Sequence, residues 1–199
     1  MKKGVIINRR WDSLFFSKVT ALSKQKMLTY ILQAKAELHN VAKVQPVDDE
    51  IYPHDYKFKF QCNGCKTVHP NPVQINRFET IQVTGFRRLA NILIKCKACQ
   101  RERYAIISKV GPGCIQVEND GVGGDEFCDI LKIHTHGMRI LEFIPDDQYE
   151  CVTTYGKLIQ GIGLLDGKWD ESDEEGTELK ISNVDWNLKL VSEKDPKYK

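Results

Sequence analysis

The amino-acid sequence predicts an all-β protein, and three observations support this fold class. Apolar and polar residues alternate strictly from Tyr56 to Cys62, with the period of two that is typical of a β-strand. Residues Ala90 to Cys96 place their apolar side chains on one side in the same way. A third alternating run, Trp186–Leu190, lies near the C-terminus. The chain is therefore expected to be rich in strands and poor in helices.

Further strands are expected along the whole chain. Residues 28–41 alternate with period two, although their Ala, Leu, Glu, Lys and Gln content would also suit a helix. Residues 44–53 contain two prolines and two aspartates and are predicted to form a loop. A short strand is predicted at residues 80–84, ending at Gly85. The remaining predicted strands are Tyr104–Val110, Cys114–Val117, Phe127–His136 and Met138–Ile144.

The distribution of charge and glycine suggests three parts. Residues 1–26 carry seven Lys or Arg and one acid, and are expected to form a disordered basic extension, with an organellar transit peptide as the alternative. The glycine-containing stretch 118–126 is the best internal boundary, which gives halves at 27–120 and 121–199. Residues 166–178 contain seven acids and are predicted to form a solvated loop.

Composition limits the class of protein. A hydrophobic content of 41% and a charged content of 28% are ordinary for a soluble chain, here expected to be a monomer. No apolar run approaches the roughly 20 residues of a membrane helix. Seven cysteines, an odd number, favour a reducing compartment, which predicts a cytoplasmic protein with the nucleus as an additional location. The cysteines at 114, 128 and 151 are then expected to be free thiols in or near the core.

Two Cys-x-x-Cys pairs, Cys62/Cys65 and Cys96/Cys99, predict a zinc site. Each pair follows a predicted strand, so that a tight turn returns the second thiol beside the first. Four thiolates at about 2.3 Å form a closed tetrahedral shell around Zn²⁺. Gly64 is expected to supply a positive φ in the first turn. The 30 residues between the pairs exceed the usual interval of about 15 to 20, which suggests an inserted hairpin.

Other uses of these residues are open. The four cysteines would also suit a buried apolar core or a redox motif, although no helix is expected to follow either pair. His69, four residues after Cys65, offers an alternative fourth ligand. His134 and His136 share one strand face, which is a geometry that a second metal could use. The segment 66–109 holds nine basic and two acidic residues, which suits either the negative charge of the zinc site or a phosphate-binding surface.

With these two pairs in place, the chain resembles the eukaryotic CXXC motif containing zinc-binding protein family. The resemblance starts near Met27 and fades in the C-terminal third. It implies an all-β fold of two similar β-sandwich-like halves, no established enzymatic activity, and zinc bound in the first half by Cys62, Cys65, Cys96 and Cys99. The segments that carry it are 32–41, Pro46-Val47, 60–65, 95–102 and 141–143.

Three functions are compatible with these features. The first is a non-enzymatic zinc-binding protein in which the ion stabilises a β domain that interacts with another protein. The second is a nucleic-acid binder that uses Arg87, Arg88 and the basic residues from Lys95 to Arg103, with Tyr104 as a stacking platform. The third is a thiol-based metal-transfer or redox protein. No catalytic triad, carboxylate pair or open metal site is visible, so no enzymatic activity is expected.

Overall fold

Strands dominate the chain in the computed structural model, which describes residues 27–85, 87–116, 126–192 and 195–198. The described residues form fifteen strands and a 3-10 helix at Pro196–Tyr198, which confirms the predicted all-β class. The strands are β1 (Met27–His39), β2 (Val41–Pro46), β3 (Tyr56–Cys62), β4 (Val73–Ile75), β5 (Ile81–Gln82), β6 (Leu89–Ala90), β7 (Ile92–Lys95), β8 (Glu102–Lys109), β9 (Ile115–Gln116), β10 (Cys128–His136), β11 (Met138–Ile144), β12 (Tyr149–Thr153), β13 (Leu158–Ile162), β14 (Trp169–Ser172) and β15 (Glu178–Val191).

The largest sheet has six antiparallel strands in the order β14-β15-β1-β10-β8-β7. Leu32, Ala34 and Ala36 of β1 point into the main core, as the alternation predicts. The opposite face of β1 is also buried, because Tyr198 from the C-terminal 3-10 helix packs with Ile31. The strand interpretation of residues 28–41 is therefore confirmed over the helical alternative.

Three smaller sheets complete the fold, with strand orders β11-β3-β4, β13-β12-β2-β9 and β5-β6. At Gly137, with φ at 71°, the chain leaves the six-stranded sheet at the end of β10 and enters another as β11. This change of sheet places β11 against β3, the strand that ends at Cys62. The β5-β6 pair lies between the two cysteine pairs and is the inserted hairpin that their long separation predicted.

One hydrophobic core joins strands from both sides of residue 120. Leu32, Phe58 and Ile133 belong to the same buried cluster, although they come from distant parts of the chain. The ring of Phe143 lies 5.4 Å from that of Phe58 and 4.9 Å from that of Trp186. The two halves therefore share both a sheet and a core, while a division of the chain at residue 120 remains a prediction.

The structure contains strands β4, β12 and β13, which were not predicted, and it differs from the prediction in three of the assigned segments. Strand β2 extends to Pro46, so the predicted loop begins later than residue 44. The acidic run contains β14, which pairs with β15 through register partners such as Asp170 and Lys180. The predicted strand from Ala90 to Cys96 is interrupted at Asn91, whose side-chain oxygen accepts a hydrogen bond from the Ile107 N–H at 2.8 Å.

Two predicted segments lie outside the described residues, namely the basic extension 1–26 and residues 118–125 of the glycine-containing boundary, together with Val117 at the end of a predicted strand. Within the described part of the chain, no helix has the length and apolar character needed to cross a membrane.

Candidate metal centre

The two cysteine pairs occupy turns with the same backbone hydrogen bonds. The N–H of Lys66 donates to the carbonyl of Cys62 at 2.9 Å, and the N–H of Gln100 donates to the carbonyl of Cys96 at 2.8 Å. Each turn is closed by its first cysteine, whose N–H donates to a carbonyl five residues later, at 2.9 Å in the first turn and 3.0 Å in the second. Equivalent turns therefore present both pairs, and we call them knuckle 1 (residues 62–67) and knuckle 2 (residues 96–101).

The left-handed backbone position in each knuckle is not the one predicted. It lies at Lys66, with φ at 63°, and at Gln100, with φ at 57°. The expectation of a positive φ at Gly64 is wrong, and Ala98 occupies the equivalent position of knuckle 2. Gly64 instead allows a close approach, because a Cβ atom there would lie 3.0 Å from Arg103 Nη2 and 3.7 Å from Cys62 Sγ.

The four sulfurs have the spacing that a single metal ion requires. All four Sγ atoms lie within 4.8 Å of one another. The Sγ atoms of Cys62 and Cys99 are 3.7 Å apart, and those of Cys65 and Cys96 are 3.5 Å apart. A tetrahedron with metal–sulfur bonds of about 2.3 Å has edges of about 3.8 Å. Both short distances join one knuckle to the other, so the sulfurs surround one point between the two turns.

The centre lies at the edge of the core and not deep within it. Cys62 and Cys96, at the strand ends, are buried, whereas Cys99 is half-buried and Cys65 is exposed. Tyr56, Phe58 and Phe60 alternate with half-buried residues and anchor the start of knuckle 1 in the core. The predicted face of this strand is confirmed.

A buried arginine, Arg103, lies against the sulfurs of this centre. Its side chain is only 4% exposed, and Nη2 lies 3.4 Å from Cys62 Sγ and 3.9 Å from Cys99 Sγ. Its Nη1 donates to the backbone carbonyl of Glu102 at 2.8 Å. Four thiolates on a divalent ion carry a net charge of −2, so a buried guanidinium offsets part of it.

The pKa values of Cys62, Cys65 and Cys99 show that these three thiols do not ionise equally easily. Burial raises the pKa of Cys62, but hydrogen bonds from the Cys65 N–H, the Arg103 guanidinium and the Gly64 N–H outweigh it and lower the pKa to about 6. At Cys99 the N–H of Arg101 lowers the pKa, but burial and the three neighbouring sulfurs raise it to about 11. Thr67 lowers the pKa of Cys65 through its hydroxyl and its N–H. A thiolate at Cys62 therefore opposes ionisation of Cys99, and a divalent cation between the sulfurs would offset this repulsion.

The histidines named from the sequence are engaged elsewhere. His69 Nδ1 lies 2.8 Å from the backbone oxygen of Asn71, outside the sulfur cluster. His134 Nδ1 lies 2.9 Å from the hydroxyl of Thr29, and the ring of His136 stacks on Tyr104 at 4.8 Å. Among the described residues, the four cysteines form the one group with metal-ligand spacing. The remaining three cysteines are free thiols, as predicted, with Cys114 and Cys151 buried.

The proposed nucleic-acid surface loses two of its members. Tyr104 is 7% exposed and packs in a small cluster with Val83 and Ala90, so it offers no free face for a base. Arg103 is buried against the sulfurs. The other basic residues of this surface remain exposed, namely Arg87, Arg88, Lys95, Lys97 and Arg101.

Sequence reasoning counted Arg103 as one of many surface cations and missed its contact with the sulfurs. The signal lies in β8, where Arg103, Ala105 and Ile107 share one strand face and all three are buried. An arginine on the apolar face of a strand that follows a cysteine pair by a few residues indicates a buried charge partner.

Comparison with known proteins identifies the family. The family model described as "CXXC motif containing zinc binding protein, eukaryotic" matches residues 31–189, and the match extends through the acidic run at residues 166–178. The UPF0587 protein C2D10.03c of Schizosaccharomyces pombe is 29% identical over 160 residues, covering 80% of this chain and 96% of that protein. The human protein named CXXC motif containing zinc binding protein is 24% identical over 148 residues, covering 74% and 88%.

Solved structures share the fold. The crystal structure of C1orf123 superposes with a TM-score of 0.70 at 22% identity, covering 82% of this chain and 99% of that one. A hypothetical protein from Plasmodium falciparum gives a TM-score of 0.69 at 20% identity, covering 81% and 99%. With the family pattern matching most of its length and both knuckles in place, this chain belongs to the eukaryotic CXXC motif containing zinc binding protein family.

Proposed function

We propose that Cys62, Cys65, Cys96 and Cys99 bind one zinc ion, and that the ion stabilises a non-catalytic domain that binds another protein. The observation that carries this proposal is the convergence of four thiols, from two turns far apart in the chain, within 4.8 Å. Tetrahedral four-sulfur sites suit zinc or iron, and the family description names zinc. A closed four-thiolate shell has no position for a reacting water, which supports a structural role over a catalytic one.

The ion would be a large contribution to stability. Structural zinc in small peptides binds with about 10 to 16 kcal/mol, and a whole domain is stable by only about 5 to 15 kcal/mol. Knuckle 1 follows β3 of a three-stranded sheet, and knuckle 2 lies between β7 and β8 of the six-stranded sheet. An ion bound by both knuckles would therefore connect the two sheets. Loss of the ion should destabilise both knuckles. Because the thiols must stay reduced to bind it, we place the protein in the cytoplasm.

Metal analysis of the purified protein tests the proposal. We expect one zinc per chain in the wild type and a large loss in Cys62→Ser and Cys99→Ser. Cys114→Ser, which changes a buried thiol outside the cluster, is the control and should keep its zinc. Full zinc occupancy in both ligand variants would overturn the assignment.

Exposure of one ligand supports a second candidate, transfer of the metal to another protein. Cys65 is exposed, and its pKa is lowered by Thr67, so an incoming thiol could reach this position first. The rate of zinc loss to an excess of chelator separates the two candidates. A transfer protein should lose zinc within minutes, whereas a structural site should hold it for hours or longer.

A further inference from the structure

A small cavity opens beside the metal centre. Its volume is about 40 Å³. It lies between β3, the segment after knuckle 1 and the start of knuckle 2, and Met138 of β11 also lines it. At about 10 to 15 Å³ for each water-sized group, it has room for three or four such groups. This is the size of the branched end of a leucine side chain.

The walls of this cavity favour an apolar occupant. Phe60, Val68, Ile94 and Met138 line it, together with the sulfur-bearing residues Cys62 and Cys96. Val68 is 40% exposed, so the cavity has an apolar rim that a partner can reach. An aliphatic group that enters the cavity gains dispersion contacts with these apolar walls.

The surface around the cavity keeps a net charge of about +2 once the −2 of the zinc-loaded centre is counted, because residues 62–69 and 95–103 hold five Lys or Arg and one acid. Lys97 lines the cavity itself. Lys66, Lys95 and Arg101 are exposed on or next to the two knuckles, and Glu102 is the one acidic residue within residues 62–69 and 95–103. An occupant that approaches this rim on an acidic segment is attracted to it, whereas a basic segment is repelled.

We infer that this cavity receives one leucine-sized aliphatic side chain from an acidic segment of a partner protein. The inference rests on the proposed function, because Cys62 and Cys96 form part of the walls and the metal fixes their position. It specifies the chemistry of the partner, which is a single aliphatic anchor flanked by Asp or Glu.

Two synthetic peptides test this inference on zinc-loaded protein. Both are acidic heptapeptides of alternating Asp and Glu, one with a central leucine and the other with a central alanine. We expect the leucine peptide to bind at least about tenfold more tightly, given about 0.8 kcal/mol for each buried methylene. Val68→Asp and Lys97→Glu should each weaken its binding by at least about tenfold. Leu165→Asp and Lys168→Glu, at exposed positions outside the cavity, are matched controls and should bind as the wild type does.

The measurement is titration calorimetry, with zinc content determined for each sample. Equal binding of the two peptides, no binding by either, or unchanged binding by Val68→Asp would each overturn the inference. Tighter binding of a single-stranded heptanucleotide RNA, lost in Lys97→Glu, would replace it with a nucleic-acid surface. Absence of zinc from the wild type would instead overturn the proposed function, so the two failures are distinguishable.

Discussion

Replacing Arg103 with methionine removes the buried charge beside the sulfurs and keeps most of the side-chain volume. The pKa of Cys62, at about 6, indicates that its thiolate is present at neutral pH even without metal. Four thiolates on Zn²⁺ bring the charge of the centre to −2. For each unit of negative charge that zinc binding adds, at about 5 Å from the guanidinium and an effective dielectric constant of about 20, the attraction to Arg103 is about 3 kcal/mol.

The expected result is a 10- to 100-fold weaker zinc affinity, which is the range typical of residues that contact metal ligands. Competition with a chromophoric chelator at pH 7.4 measures this affinity, and circular dichroism confirms that the variant is folded. Arg103→Lys, which keeps the charge, should lose less. Arg101→Gln removes an exposed charge from knuckle 2 and is the control.

A zinc affinity of Arg103→Met within twofold of the wild type would refute the reasoning. An equal loss in Arg101→Gln would also refute it, because the effect would then come from the general positive surface and not from the contact of Arg103 with Cys62 and Cys99.

Three further predictions follow from the geometry. Gly64→Ala should weaken zinc binding several-fold, because the new Cβ would lie 3.0 Å from Arg103 Nη2. The control is Ala98→Gly in knuckle 2, which should change zinc affinity little. Equal effects in the two variants would contradict this account. Removing zinc with a chelator should lower the melting temperature by about 10 °C or more, and added zinc should restore it. In a chain of this size each kcal/mol of lost stability lowers the melting temperature by about 2 to 4 °C. An unchanged melting curve would argue against a structural ion. Burial lowers the pKa of His54 more than Asp146, Asp48 and Asp55 raise it. Below about pH 6.5 the unfolded chain therefore binds a proton at this histidine that the folded chain resists. The free energy of unfolding should decrease as the pH is lowered through this range. Urea unfolding at pH 7.5, 6.5 and 5.5 should show a smaller fall in His54→Gln than in the wild type, and equal slopes would exclude His54 as the source.

The period of two in the sequence predicts which side chains are buried, and it does so well near the metal centre. Tyr56, Phe58, Phe60 and Cys62 form one face because each is apolar and each neighbour is not. The knuckles were predictable too, since two residues between thiols allow few arrangements other than a tight turn.

The same pattern carries no information on strand partners. Nothing in β10 and β11 indicates that they belong to different sheets, because the change depends on one glycine and on the pairing of distant strands. Tyr104 was expected at the surface, and it is buried because the inserted hairpin covers it through Val83 and Ala90. The alternation of apolar and polar residues shows which face of a strand is buried, but it does not show which distant segment covers that face.

The place of β1 at the centre of the six-stranded sheet affects how the protein is made. This strand is complete at His39, yet its neighbours end at His136 and Val191, so its second partner leaves the ribosome about 150 residues later. At 5 to 20 residues per second, the first strand waits roughly 8 to 30 s with an unpaired edge. Both knuckles are synthesised within that interval, so the nascent chain can acquire its metal before its central sheet closes. A long, apolar strand that waits this way is a natural client for chaperones.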